Sequence, residues 1–326
     1  MTVIVDLSVG STLCLSAALS AKLLSVGTNP FIAILLSLAV ACVIGIWQGW
    51  LIGYIHIPPF ICTLAGMFLF RGIARVILDS KTVAVMDKKF LSLFTSYIQI
   101  PGLDVNQRVI SSMAVGILVA IAITAYTFIS ERNKMKKGYE SAGIKATAIK
   151  VAIFDLVILF YAYKLMSYKG IPIMLIWILV VVAIFAFITS STVFGRYFYA
   201  VGGNEKATRL SGIDPRKVYF WAYFLMSLLA GLSGLLVGAR IGSVDGNMGN
   251  SYEMDAIASC FIGGASAYGG SGTVQGIMIG AILLGVINQG MSILGLPDQF
   301  QYIVKGAVLL GAVVFDVVSN HKTGKS

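Results

Sequence analysis

Apolar residues gather along this chain in long runs, at about 9–26, 31–54, 58–78, 109–130, 147–166, 171–193, 218–239, 254–268, 273–293 and 300–318. Most are near the roughly 20 residues that an α-helix needs to cross a hydrocarbon core. The polar intervals stay below about 30 residues, too short for a separate soluble domain. The pattern predicts an all-α polytopic membrane protein of about ten spans, with residues 1–326 forming one transmembrane domain. One span is short. Gly263-Gly264-Ala265-Ser266-Ala267-Tyr268-Gly269-Gly270-Ser271-Gly272 breaks the run that starts at 254. A helix broken at membrane depth frees backbone groups that must be buried in protein or line a polar cavity. On the next run, Gly276, Gly280 and Gly285 mark a small-residue face suited to close helix packing.

Charges in the polar intervals set the orientation. Segment 131–150 carries Arg132, Lys134, Lys136, Lys137, Lys145 and Lys150, and segment 194–217 carries Arg196, Lys206, Arg209, Arg216 and Lys217. Two runs separate these segments, so both fall on one side, the cytoplasmic one by the positive-inside rule. The tail from His321 to Lys325 joins them by parity. Segment 241–255 holds Asp245, Glu253 and Asp255 without a lysine or arginine, and faces away.

Residues 202–217 form a polar segment with a helical pattern of their own. Gly202-Gly203-Asn204 predicts a turn that ends in a helix N-cap, and Glu205 follows where the helix dipole favours a negative charge. Ala207 to Leu210 complete the short helix until Gly212 stops it, and Asp214-Pro215 opens the next one. A loop that only joined two spans has no need of such a helix. On the basic side of a membrane it is a docking element for a cytoplasmic partner.

Composition narrows the chemistry. Of 326 residues 58% are hydrophobic and 12% charged, against about 25% charged in soluble domains. The net charge of +10 sits mostly in short loops, which points to membrane orientation rather than nucleic acid, with specific binding of anionic lipid as the alternative. Cys14, Cys42, Cys62 and Cys260 lie far apart inside apolar runs and read as small buried hydrophobes. The histidines, His56 and His321, lie outside the spans, which argues against a metal site and a histidine-activated serine. Neither GxxxxGK[ST] nor HExxH occurs, so the chain reads as no enzyme and cannot power itself with ATP.

Ionisable residues inside spans are expensive unless paired or wet. Asp155 is expected to pair with a lysine or reach an interface, a proton relay being the alternative. Arg71 and Arg75, on one helix face, are expected to extend to the outer interface. Lys305 and Asp316 also share a face and read as packing or interfacial residues. Asp6, at the edge of an apolar run and without a basic region before it, looks like the interior of a membrane protein. The expectation is that upstream spans are missing or that the start lies elsewhere.

Three blocks carry a resemblance: Asp6-Leu7-Ser8-Val9-Gly10-Ser11; Gly202-Gly203-Asn204-Glu205 through Ser211-Gly212-Ile213; and Tyr252-Glu253-Met254-Asp255-Ala256-Ile257-Ala258 running into Gly263-Gly264 and Gly269-Gly270. Their order resembles the permease subunits of bacterial ATP-binding-cassette importers for monosaccharides, of the ribose, xylose and galactose type. Pro59 to Met67 and Phe194-Gly195-Arg196-Tyr197 fit the same pattern. An additional span pair at about 147–193 is similar to that of the xylose and multiple-sugar subgroup.

The resemblance implies a multi-pass protein of the bacterial cytoplasmic (inner) membrane that pairs with a second copy. It implies a cytoplasmic ATPase partner that binds ATP and Mg, this chain having no cofactor of its own. The coupling helix would use Gly203, Asn204, Glu205, Ala207, Arg209, Gly212 and Ile213. A transport path at the dimer interface would be lined by Asp6, Ser8, Ser11, Gly263 and Gly264, with Asn288 and Gln289 contacting sugar hydroxyls. An extracytoplasmic sugar-binding protein would meet Glu253 and Asp255. Two rivals stand beside this reading. One is a permease of the same superfamily for a branched-chain amino acid or nucleoside, the other a secondary transporter without an ATPase.

Overall fold

The computed structural model describes residues 5–98, 105–136, 144–167, 169–266 and 269–322. The elements are α1 (Val9–Ser25), α2 (Pro30–Gly53), α3 (Pro59–Ile77), β1 (Val83–Ala84), α4 (Lys88–Thr95), α5 (Val105–Lys136), α6 (Ile144–Met166) and α7 (Ile173–Ser191). They continue with α8 (Val193–Gly203), α9 (Glu205–Leu210), α10 (Pro215–Ile241), β2 (Ser243–Val244), α11 (Tyr252–Ile262), α12 (Val274–Ile293) and α13 (Asp298–Lys322). Among the described residues, five helices are long and apolar enough to cross a membrane: α2, α3, α7, α10 and α12. The chain is an all-α membrane protein. The interrupted run yields a helix of only 11 residues, α11, which at 1.5 Å per residue covers about half of a hydrocarbon core. Lys137, Ala267, Tyr268 and residues 323–326 lie outside the described residues, as do the side chains of Lys134, Lys136, Lys145, Lys150, Asp316 and His321.

Local chemistry sets the helix ends. The Asn29 side chain accepts from the Phe31 amide at 3.0 Å, with Pro30 in the first helical position of α2. Asp214 does the same for Arg216 at 3.1 Å, with Pro215 opening α10. Both are N-cap arrangements in which proline gives up no needed donor. Gly242, at φ 76°, closes α10 in the left-handed conformation.

The chain divides into two compact units, Met1–Phe94 with Ile178–Ser326, and Thr95–Trp177. In the first, α10 packs along α2 and α1, and α1 along α3. Lipid tails are as apolar as leucine, so helices associate there by close packing and hydrogen bonds rather than by escape from water. Glycine supplies the closeness. A Cβ at Gly49 would stand 2.7 Å from the Phe220 carbonyl oxygen; Gly45 meets Phe224 and Gly53 meets Arg216 equally closely. Each step of four along α2 is matched by a step of four back along α10, an antiparallel ridge-in-groove register. Outward, Phe31, Leu35, Val43, Phe68 and Val76 are exposed, as on a face that meets lipid.

The far ends of α1, α3 and α10 are tied together. β1 and β2 pair antiparallel, Val83 opposite Val244, and the Val85 amide donates to the Gly242 carbonyl at 2.8 Å. Lys22 Nζ meets Asp79 Oδ2 at 2.7 Å, and this contact holds the exposed Asp79 carboxyl below its usual pKa. Arg71 and Arg75, expected to extend to an interface, instead fasten the loop after β2. Arg71 donates to the Gly246 and Met248 carbonyls, and Arg75 to the Asn247 side chain at 3.0 Å. The basic segment 202–217 lies at the opposite end of α10, whose 27 residues span roughly 40 Å. This separation fits the orientation that the loop charges give.

In the second unit α5 packs on α6, and Gly116 leaves room for Ala162. Asp155, expected to pair with a lysine or reach an interface, accepts from the Thr124 hydroxyl at 2.7 Å instead. Its other oxygen has no hydrogen-bond partner among the described residues. A hydroxyl on the facing helix satisfies half of the carboxylate without burying a second charge.

The α2–α10 contact makes a direct prediction. Gly49→Leu forces the two backbones apart at an overpacking cost of about 1–3 kcal/mol, whereas Gly72, with nothing within 4 Å of its missing Cβ, accepts alanine. Thermal unfolding in detergent should show a lowered midpoint for Gly49→Leu alone. Equal midpoints for both variants contradict the register.

Candidate functional site

α8 and α9 are separated by one residue. The Asn204 amide caps α8 by donating to the Ala200 carbonyl at 3.0 Å, while its side chain caps α9 by accepting from the Ala207 amide at 3.0 Å. The expected turn at Gly202-Gly203 is thus the last part of α8, and Asn204 alone makes the corner. Glu205 Oε2 accepts from the Tyr219 hydroxyl of α10 at 2.9 Å. Thr208 is buried, and Ile213 joins Val201, Val218 and Tyr219 in a small apolar cluster. Gly212, at φ 84°, ends α9 as the sequence predicts. The opposite face carries Lys206, Ala207 and Leu210, and Leu210 is 90% exposed. Arg209 and Glu205 border a small pocket with Ile57, Pro58 and Pro215. The result is a rigid, capped projection with a basic rim and an apolar tip.

Gly202 and Gly203 have a packing purpose that sequence reading missed. The Gly269-Gly270 loop lies directly on them. A Cβ at Gly202 would stand 2.9 Å from the Gly270 amide nitrogen, and one at Gly270 would stand 2.8 Å from Gly203 Cα. Gly269 and Gly270 also adopt φ of 86° and 75°, where glycine is at ease and other residues are strained. Tyr199 of α8 donates to the Gly272 carbonyl at 2.9 Å, holding the same loop. The two glycine pairs are read separately in sequence, and the fold brings them into backbone contact.

That loop joins α11 to α12, which run back on each other. A Cβ at Gly263 would sit 2.6 Å from the Gly276 carbonyl oxygen, and Gly280 abuts Ser259. Gly264 and Gly285 have open space around them. At the other end of this hairpin Asp255, Asn288 and Lys305 meet. Asp255 Oδ2 accepts from Lys305 Nζ at 2.8 Å and from Asn288 Nδ2 at 3.3 Å. Beside them opens a cavity of about 550 Å3 that Arg240, Gln289 and Gln301 also line. Asp255, expected on an outer docking rim, therefore stands on a cavity wall. Glu253, its expected companion, is buried against Gly10. Lys305, read as a packing or interfacial residue, is the partner that holds Asp255.

Asp6, Ser8 and Ser11 turn into the protein, each at most 3% exposed. Asp6 Oδ1 accepts from the Ser8 amide at 2.7 Å and the Ser8 hydroxyl at 2.6 Å. Ser8 Oγ accepts in turn from Gln48 Nε2 at 2.8 Å, and Gln48 Oε1 from the Ser227 hydroxyl at 3.4 Å. Ser11 donates to the Ser8 carbonyl at 2.8 Å. This chain of bonds joins the start of α1 to α2 and α10, where it satisfies backbone and side-chain groups cut off from water. Gln48 was legible only as an amide within an apolar run. Among the described residues no group of three or more His, Cys, Asp and Glu is placed to hold a metal.

Removing the Asn204 cap should cost the short helix about 1 kcal/mol. Amide exchange at Ala207 is expected to quicken in Asn204→Ala and stay slow in Asn204→Asp, which keeps the acceptor. Unchanged exchange in the alanine variant contradicts the capping geometry.

Residues 1–313 match the family described as branched-chain amino acid transport system / permease component. The chain is 34% identical over 319 residues to a xylose transport system permease protein of Haemophilus influenzae, covering 98% of this chain and 83% of the relative. It is 32% identical to the xylose transport system permease protein of Escherichia coli, over 98% of this chain and 79% of the relative. The Escherichia coli ribose import permease protein is 33% identical over 96% of this chain and 77% of its own length. No solved structure matches. Family match, helical membrane architecture and shared length agree: the chain belongs to the permease-component family of branched-chain amino acid transport systems, within which its curated relatives carry xylose and ribose names.

Proposed function

We propose that this chain is the membrane permease subunit of an ATP-driven importer that carries xylose or a related monosaccharide across the bacterial inner membrane. The observation that carries the reading is similarity over nearly the whole chain to xylose and ribose permeases. The capped helix α9 supports it from the geometry, because a projecting element on the basic side suits a cytoplasmic partner.

In this reading the segment 202–217 docks a cytoplasmic ATPase that binds ATP and Mg, and Leu210 provides an apolar anchor beside the expected coupling residues. The fold is one permease domain of about ten spans, with the additional pair in the region 147–193. A second copy completes the transport path. Asn288 and Gln289 line that path, and Gly263 and Gly264 let its broken helix turn. Asp6, Ser8 and Ser11 hold α1 in place from within. An extracytoplasmic sugar-binding protein lands on the side where α11 begins, although Glu253 itself is buried and Asp255 lines the cavity. The family description favours a branched-chain amino acid as the rival solute. Uptake of xylose, ribose and leucine by cells carrying the complete system decides between them.

ATPase docking is tested by co-purification in detergent. Glu205→Arg breaks the bond to Tyr219, and Gly212→Pro cannot hold φ 84°. Both variants should retain ATPase at least about tenfold less well than wild type, a loss of roughly 1.4 kcal/mol or more. Full retention in both folded variants overturns the docking role, and no ATPase even with wild type overturns the importer reading.

A further inference from the structure

Asp155 of the second unit lies eleven residues from Ile144 and eleven from Met166, the two ends of α6. Roughly 17 Å of helix therefore separate it from either end. At that depth so short a side chain reaches no interface, and an ionisable group within a span marks a functional site by default. A cavity of about 400 Å3 opens beside it. Ile117, Ile121 and Thr124 of α5 and Leu159 of α6 line this cavity, with the small side chains of Ala120 and Ala125 between them. Ile117 and Ile121 are exposed, so the cavity is entered from the flank of the helix pair.

The polar groups define what fits. Thr124 Oγ1 donates to Asp155 Oδ2 at 2.7 Å, which fixes the carboxyl across the two helices. Oδ1 is buried and has no hydrogen-bond partner among the described residues. An atom left in this state is costly until a partner reaches it. Water suits the place poorly, because a buried water needs about two to four polar partners and the remaining lining is aliphatic. A broad apolar wall with one oriented polar group is the pattern of a small-molecule pocket. The carboxyl also selects the head group. A hydroxyl donates to Oδ1 when the carboxyl is ionised and accepts from it when it is protonated. An ammonium serves the first form alone and a carbonyl the second alone. A hydroxyl moreover brings no charge into an apolar cavity.

We infer that the α5–α6 cavity is a binding site for a membrane-dissolved lipophile with a hydroxyl head, of the class of long-chain and isoprenoid alcohols. The hydroxyl bonds to Asp155 Oδ1, and the hydrocarbon body lies along Ile117, Ile121 and Leu159. Thr124 is a positioning residue that keeps Oδ1 turned to the ligand. The site lies within the second unit and stands whether or not the chain imports a sugar.

A long-chain alcohol with a diazirine near its mid-chain hydroxyl is the probe. It is photolysed with the full-length chain in lipid nanodiscs, and the adducts are located by peptide mass spectrometry. Adducts are expected on α5 near Ile117 and Ile121 and on α6 near Leu159. The unlabelled alcohol should suppress them, and the parent alkane should need about tenfold more, as the loss of one buried hydrogen bond requires. Asp155→Asn, which keeps a donor and an acceptor, should retain labelling. Asp155→Leu should lose it about tenfold for the same reason, and a leucine in place of a half-satisfied carboxyl leaves the fold intact. Equal thermal midpoints for both variants check that. Labelling unchanged in Asp155→Leu, competition by the alkane equal to that by the alcohol, or absent labelling each overturn the site. A long-chain amine that competes better than the alcohol, and fails in Asp155→Asn, overturns the hydroxyl in favour of a cationic amphiphile. A synthetic leucine-rich helix with a central lysine that crosslinks there while the alcohol does not overturns it in favour of a partner helix. None of these outcomes touches the importer reading, which is decided by uptake.

Discussion

The seating of α1 and of α9 in the first unit depends on how closely α2 and α10 approach. Gly45, Gly49 and Gly53 put one helix backbone on another at Phe224, Phe220 and Arg216. In lipid this closeness supplies the dispersion contacts that substitute for a hydrophobic driving force. It also brings Gln48, one residue from Gly49, within reach of Ser8 and Ser227. The buried polar chain that seats the start of α1 is therefore a consequence of the same register. With α10 fixed, its first turns present Tyr219 to Glu205, and α9 gains a fixed attitude.

A second backbone contact extends this order from α9 towards the cavity. Gly202 and Gly203 end α8, one residue from α9, and lie on Gly269 and Gly270. No side chain stands between them to absorb a displacement by changing rotamer. The loop they touch begins α12, and α12 carries Asn288 on its way to the opposite end. α11 is bound to α12 through Gly263 and Gly280, and it carries Asp255. Packed interiors transmit strain because they are nearly incompressible. The end of α8 beside α9 and the polar cavity are thus linked through the tightly packed α11–α12 hairpin.

Local signals were legible and distant pairings were not. Asp214-Pro215, Asn204 and Gly212 act through neighbours within four residues, and each ends or begins a helix where the sequence places it. The apolar runs likewise found their helices, since hydropathy needs no knowledge of partners. The pairing of Asp255 was invisible because its partner Lys305 lies 50 residues away. Gly202-Gly203 read as a turn because the alternative reason for two glycines, a loop arriving from 269–270, is invisible locally. Asp155 was expected to seek a lysine because opposite charge is the obvious remedy, yet α5 offers the Thr124 hydroxyl at the facing position. Tertiary contact decided each of these.

The family description names branched-chain amino acids, whereas the curated relatives named above carry xylose and ribose names. In the proposed importer, the polar lining of the cavity bears on this difference. A site for an amino acid has to meet a carboxylate and an ammonium with separate, available partners and house an aliphatic side chain. Here Asp255 and Lys305 pair at 2.8 Å, and the Arg240 guanidinium, the hydroxyls of Tyr252, Ser259 and Ser292 and the amides of Asn288, Gln289 and Gln301 supply the remaining polarity. Neutral hydrogen-bonding groups match neutral hydroxyls without charging the membrane interior for an uncompensated ion.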